Sequence, residues 1–372
     1  MQYFVMRERK KRYSPEFRLI LGVLSSSQPG ISDNPDIDWP EVDWNEFFQL
    51  LRRHRITGLV ANLLLSPAGE HKRSPLPKEI IPALAEAQRQ SLAQEMAALV
   101  EARALIDLFE DNGLAPILLK GLTLSHDAFG RIGWRNNYDT DILLRPDEIL
   151  LADRLLRERN YSRFEPAEDA NDQKWALWRR RRKDAAYRNQ KSGSIVELHW
   201  RLFDNPAILP APLRTRKADL LGNLCCTMLE PDVNFAYICC HGSQHAFSRL
   251  KWLADVYFLA RKKSEAELAA LLETTPDPYA RAAIAQALLL CSKLFGLSLP
   301  SDTLMFEKTN IRLAAWMADK TLTRGGSREI ETLPFGATLK TLSHYLMSAA
   351  PDYLAREALF DAREKLHGRT TI

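Results

Sequence analysis

Asp139 and Asp141 stand one residue apart in Tyr138-Asp-Thr-Asp-Ile-Leu-Leu-Arg145, a segment that reads as a β-strand. The two-residue period of a strand turns both carboxylates to the same side of a sheet. Two like charges so close resist burial unless a cation neutralises them. A divalent metal is the natural partner. Mg²⁺ is hard, prefers oxygen and is commonly held by one or two carboxylates together with substrate phosphates, with Mn²⁺ as the alternative ion. Glu197 lies in a second apolar run, Ser194-Ile-Val-Glu-Leu-His-Trp-Arg-Leu202, where Val196, Leu198 and Trp200 form one face and Glu197 and His199 the other. A third carboxylate on a neighbouring strand completes a ligand set for cations that clamp an in-line displacement at phosphorus.

Ahead of the acid pair, Pro116-Ile-Leu-Leu-Lys-Gly121 is a short apolar run ending in glycine, a buried strand that turns sharply into a helix. Backbone N–H groups in such a turn, with Lys120 beside Gly121, suit a triphosphate. Each piece also has a plainer reading: Asp-x-Asp as a solvated strand margin, Lys-Gly as a tight turn, His199 as a core histidine with one hydrogen bond rather than a neighbour of the metal site. The order strand-Lys-Gly-helix, Asp-x-Asp strand, Glu strand is more specific than any one of them.

That order resembles the DNA polymerase beta-like nucleotidyltransferase superfamily. More closely, ILLKG, RNNYDTDILLR, VELHWRL and HGSQHAFSRLKWLADV, spread over Ile117 to Ala260, resemble the uncharacterised bacterial nucleotidyltransferase family that carries LLKG, R…DxDLLV, ELHW and HGxxH…RLxWLxD. The resemblance implies a nucleotidyl-transfer fold with Asp139, Asp141 and Glu197 at the metal positions. It also implies Glu197 or a neighbour as the general base for the acceptor hydroxyl. The phosphate turn departs from the superfamily pattern of Gly-Gly or Gly-Ser, because Lys120-Gly121-Leu122 offers no serine hydroxyl and leaves the charge of Lys120 in its place. Arg135 matches an arginine of the narrower family and either reaches a phosphate or pairs with a nearby acid.

In His241-Gly-Ser-Gln-His245 the i, i+4 spacing puts both imidazoles on one helix face, with Arg249 and Trp252 following on the same stripe. Three readings stay open. Zinc lacks a third ligand and an HExxH glutamate; a structural role would have the rings hydrogen-bond the carboxylate strand or Asp255; and the superfamily habit of closing the cleft with helices implies that His241, His245 and Lys251 line the nucleotide or acceptor pocket. Trp178 and the basic run Arg179 to Lys183 form the densest charge cluster in the chain. That run either meets an acidic or nucleic-acid acceptor or is solvated and paired with the acidic stretch before it.

These groups need a scaffold, and the pattern supplies an α+β fold: a small mixed β-sheet nucleotidyltransferase core between N-terminal and C-terminal helical regions, with domains at 1–114, 115–205 and 206–372. A long helix is expected from about Ile80 to Glu110, with Leu92, Met96, Leu99 and Ile106 as a core-facing stripe, and Asn112-Gly113 as its stop. A helix opens after Pro146-Asp147, residues 185–189 and 194–202 pair as a hairpin, and the pattern from about Pro212 onward is helical.

The 372 residues are 46% hydrophobic and 26% charged, enough apolar surface for a sizeable core and against disorder. Lys and Arg number 51 against 47 Asp and Glu, a formal charge of +4 that argues against nucleic acid as the general partner. The five cysteines sit in apolar, helix-like stretches without CxxC spacing and read as free thiols of a reducing compartment. No apolar stretch suits a membrane span or follows the basic N-terminus as a signal would, so the expected location is cytoplasmic. The first function is therefore Mg²⁺-dependent transfer of a nucleoside monophosphate from an NTP to a hydroxyl of an unidentified small-molecule or protein acceptor. The alternatives are a catalytically silent nucleotide- or protein-binding module and an RNA end-modifying transferase.

Overall fold

The computed structural model describes residues 13–25, 42–65, 76–168, 171–220, 222, 224–299, 309–324, 326–328, 336–347, 354–355, 357–359 and 362. The basic segment 1–12, residues 66–75 of the Pro- and Gly-bearing break, Pro300, Gly325 and residues 365–371 lie outside them. Helices α1 (Pro15–Ser25), α2 (Trp44–Arg53), α3 (Thr57–Leu65) and α4 (Ile81–Asp111) lead into strand β1 (Ile117–Leu119). A short helix α5 (Gly121–Leu124) and one π-helical turn, Ser125–Phe129, precede β2 (Thr140–Leu143), α6 (Ile149–Glu158) and β3 (Tyr161–Glu165). Then come α7 (Asp172–Arg181), β4 (Asp184–Asn189), β5 (Ile195–His199), β6 (Thr215–Leu220) and β7 (Leu224–Leu229). Helices α8 (Pro231–Gln244), α9 (Leu250–Ala260), α10 (Glu265–Thr274), α11 (Pro278–Phe295), α12 (Thr309–Thr323) and α13 (Gly336–Tyr345) complete the described elements. No helix among the described residues is long and apolar enough to cross a membrane.

The chain divides into two compact units, each visited more than once. The first comprises Met1–Ala93, Gly133–Asn136 and Ile238–Met347; the second comprises Gln94–Ile132, Asn137–Tyr237 and Ser348–Ile372. Among its described residues the first unit is helical, and its helix ends carry local signals. Asp43 caps α2 through Asn45 N at 2.9 Å, Ser264 and Glu267 form a capping box on α10, and Asp277, Pro278 and Gly296 (φ 77°) bracket α11.

The second unit holds a mixed seven-stranded sheet of order β3-β4-β5-β2-β1-β7-β6. β2 runs parallel to β5 and β1 parallel to β7; the remaining neighbours are antiparallel. Alternation builds its core: Leu118, Ile142, Tyr187, Val196, Leu198, Cys226 and Met228 are buried on one face against Leu105, Ile106 and Phe109 of α4 and Ile149, Ala152 and Leu156 of α6. Each fully buried Leu or Ile there contributes about 1.5–3 kcal/mol of transfer free energy. The residues between them point to the opposite face, which is where the acids of the sequence stand.

Three expectations are corrected. The stretch after Pro212 is a β-hairpin, β6–β7, that joins the sheet edge-on to β1, and Cys225 and Cys226 lie in it; Cys225 is exposed, and all five thiols are free. Burial alternates along Thr-Arg-Lys-Ala-Asp-Leu as a strand with one covered face requires. The stripe on α4 does not face the core throughout: Leu92 and Met96 are 40% and 53% exposed, while the buried line runs through Leu84, Ser91, Glu95, Ala102 and Leu105. The buried line keeps the same spacing one residue earlier, about 100° round the helix, and the polar Ser91 and Glu95 on it hide it from a reading of apolar residues alone. Finally, β2 begins at Thr140, so Asp139 stands half-buried just before the strand rather than within it.

Candidate metal and nucleotide site

Register brings the acids together. Asp141 of β2 is the parallel partner of Glu197 on β5, and Asp184, the first residue of β4, is the antiparallel partner of His199. Cross-strand partners share a face, and Glu197 and His199 share it by the period of two. Candidate ligand atoms of Asp141, Glu197 and His199 all lie within 4.8 Å of one another. The hub is His199, fully buried: its Nε2 is 2.9 Å from Asp141 Oδ1, 3.4 Å from Glu197 Oε2 and 3.8 Å from Asp184 Oδ2. The other ring nitrogen, Nδ1, is buried with no hydrogen-bond partner.

Lys120 supplies the positive charge. β1 pairs with β2 so that Leu119 opposes Asp141, and the next residue swings its Nζ onto Asp141 Oδ1 at 3.0 Å. The turn that does this is tight: Lys120 has φ 38° and Gly121 φ 41°, the left-handed side that costs a non-glycine residue about 1–2 kcal/mol. Lys120 also lies 5.6 Å from the ring centroid of the buried Tyr237. The expected strand-Lys-Gly turn is present, but the α-helix it opens is only the four residues of α5 before the π-turn.

Electrostatics follow from this crowding. Burial pushes the Asp141 carboxyl up, yet Lys120 and the His199 hydrogen bond hold it well below the usual carboxylate range. Burial opposes the Lys120 charge, and Asp141, with smaller help from Glu197 and Asp139, more than restores it. Glu197 is raised by burial; the His199 hydrogen bond pulls against this, Asp141 adds to it, and the net is upward. Burial and Lys183 work against a charge on His199, but Asp141, Glu197 and Asp184 outweigh them. A buried ammonium and an imidazole already answer the carboxylates, which is the chemistry a divalent ion would share: the oxygen-rich donor set fits such an ion.

The turn and the loop before Asp139 are held within the same unit by Glu95. This fully buried carboxylate accepts from Asn137 Nδ2 at 2.6 Å and from the Ser125 hydroxyl. Sequence reasoning missed both Glu95 and Asp184. The β4–β5 hairpin register would have revealed Asp184, since counting back from the turn at 190–193 sets it opposite His199.

The other expected nucleotide contacts belong to the first unit. Arg135 forms a buried fork with Asp255, Nε at 2.9 Å from Oδ1 and Nη2 at 3.1 Å from Oδ2, realising the ion-pair alternative for this arginine. Lys251 Nζ donates to the Asn136 carbonyl at 2.8 Å, Asn136 Oδ1 accepts from Gly58 N at 3.0 Å, and Asn62 Nδ2 donates to the Gly133 carbonyl at 2.7 Å. His241 and His245 meet at 4.9 Å between ring centroids, and His245 stacks on Trp252 at 4.7 Å with Arg249 5.7 Å from that indole. In the basic run, Arg182 pairs with Asp204 and Lys183 with Asp184.

Residues 40–296 match the model of the uncharacterised nucleotidyltransferase family, more than two thirds of the chain, and the protein belongs to that family. The match extends on both sides of the motif-bearing stretch 117–260. No protein of curated function matches the chain. Among solved structures, an antigenic nucleotidyltransferase-like protein from Paracoccidioides brasiliensis aligns at 13% identity and a TM-score of 0.34, over 56% of this chain and 94% of that one, a similarity too low to bear on mechanism.

Proposed function

We propose that this chain transfers a nucleoside monophosphate from an NTP to an acceptor hydroxyl, using a divalent cation. The observation that carries the proposal is the convergence of Asp141, Glu197 and His199 beside the Lys120-Gly121 turn in a member of a nucleotidyltransferase family. Asp141 and Glu197, with Asp139 at the entrance to β2, are the carboxylates that would hold the cation. When bound, the cation supplies charge neutralisation for the triphosphate and Lewis-acid polarisation at the α-phosphorus.

The chain's own groups do the rest. Lys120 offsets phosphate charge from the turn, where Gly121 permits close backbone approach. Glu197, 28% exposed at its side chain and raised in pKa, is suited to take the proton from the acceptor hydroxyl. The acceptor oxygen forms a bond to the α-phosphorus as the bond to the β-phosphate oxygen breaks, and pyrophosphate leaves. Arg135 and Lys251 fix the Gly133–Asn136 segment of the first unit, which precedes the acids in sequence.

A second reading, a silent nucleotide-binding module, is favoured by one observation: the Lys120 ammonium already sits on Asp141. Incubating the protein with labelled ATP, GTP, CTP or UTP, divalent cation and cell extract separates the two. Label transferred by wild type and lost in Asp141→Asn and Glu197→Gln supports transfer. Nucleotide binding without label in any extract supports the silent module.

A further inference from the structure

We infer that His199 is a metal ligand, and that its nitrogen makes the site prefer a first-row transition cation, Mn²⁺, over Mg²⁺. The inference rests on the proposed cation-dependent reading but goes beyond three carboxylates, because the donor group formed by the strands is two carboxylates and one imidazole.

Geometry is the first support. Around an octahedral ion with bonds of about 2.1 Å, adjacent donors are about 3.0 Å apart. Nε2 stands 2.9 Å from Asp141 Oδ1 and 3.4 Å from Glu197 Oε2, spacings of adjacent corners, whereas Asp139 is not part of this donor group. The three donors come from two hydrogen-bonded strands in fixed register, so the set is preformed by the sheet and not by mobile loops. His199 is fully buried and cannot swing away to solvent. Its far nitrogen, Nδ1, has no partner, and the Nε2 contact with Asp141 is the hydrogen bond that a cation bound between them would replace.

Chemistry is the second. Imidazole is a poor donor for Mg²⁺ and a good one for first-row transition ions, and Mn²⁺ keeps the octahedral, oxygen-rich coordination that two carboxylates and phosphate oxygens provide. The competing role for His199, a hydrogen-bond donor that merely orients Asp141, predicts no such ion preference.

The test uses the full-length protein with MnCl₂ or MgCl₂ alone. Free Mn²⁺ is followed by electron paramagnetic resonance, Mg²⁺ by calorimetry, and bound Mn²⁺ is examined for ¹⁴N coupling. The comparison variant is His199→Gln, whose amide still donates toward Asp141 but offers no ring nitrogen. The expected result is Mn²⁺ bound at least tenfold more tightly than Mg²⁺, with ¹⁴N coupling, and loss of both preference and coupling in His199→Gln. Equal affinities, absence of ¹⁴N coupling in wild type, or a preference that survives in His199→Gln overturns the inference; the wild-type spectrum decides even if the variant misfolds. Nucleotide labelling that depends on Asp141 without ¹⁴N coupling would sink the ligand assignment and leave the transferase reading standing. Nitrogen-coupled Mn²⁺ with no labelling from any NTP would do the reverse.

Discussion

Lys120→Met probes the balance of charge at the site. Methionine keeps most of the buried stem and removes only the ammonium, leaving Asp141, 3% exposed at its side chain, without its 3.0 Å partner and beside Glu197 and Asp184. Removing one partner of a buried ion pair costs about 3–5 kcal/mol, because the remaining charge stays desolvated. At about 2–4 °C per kcal/mol for a folding unit of roughly 150–250 residues, the melting temperature without divalent ion should fall by roughly 6–20 °C. A cation bound to the same carboxylates at a hundredfold excess over its Kd returns about 2.7 kcal/mol. That rescue should be larger in Lys120→Met than in wild type, where the ammonium competes for Asp141 Oδ1. Thermal melts of both proteins in chelator and in excess MgCl₂ or MnCl₂ measure the four values. If the variant melts with wild type in chelator, or if the ion stabilises both equally, Lys120 and the cation do not share these carboxylates and the site has been misread.

Three other outcomes are expected. His54 is fully buried, with its pKa held well below the usual imidazole range by burial and by Arg53 and Arg249, and its Nδ1 accepts from Leu250 N at 3.2 Å. The unfolded chain therefore binds the proton more readily, so this contribution is intact above pH ~6.5 and is lost as pH falls below it, by up to about 1.4 kcal/mol per unit; His54→Asn, which keeps an acceptor near Nδ1, should show a shallower acid decline in chemical denaturation, and parallel curves would contradict this. Gly242→Ala places a Cβ 2.2 Å from Cε1 of the fully buried Phe247, so overpacking of about 1–3 kcal/mol should appear as a lowered denaturation midpoint. Arg135→Lys cannot reproduce the fork on Asp255 and should destabilise by about 2 kcal/mol or more, while Arg135→Lys matching wild type in denaturant would show that the buried pair contributes little.

Much of the site's scaffold was legible because it is local. A short apolar run closed by Lys120-Gly121, the alternation Val196/Leu198 against Glu197/His199, and the turn signals at 190–193 each fix a strand, its faces or its partner within about ten residues. The α4 limits follow from an uninterrupted helical composition and Asn112-Gly113, and the structure ends the helix at Asp111. The helical reading after Pro212 failed because β7 owes its place to pairing with β1, more than a hundred residues earlier, and a short apolar strand such as Leu224–Leu229 has no local mark that separates it from a helix.

The residue types the chemistry needs, and their order, are written along the chain: Lys120-Gly121, Asp139 and Asp141, then Glu197. Tertiary structure decided which of them meet. Parallel register of β2 on β5 sets Asp141 against Glu197, hairpin register brings Asp184 to His199, and Arg135 closes on Asp255 across 120 residues. Periodicity tells which face a side chain takes, because that is a property of one strand. Which charges share the face depends on how strands far apart in the chain are paired, and burial then makes an imidazole and an ammonium the partners of carboxylates that the sequence alone gave to a metal.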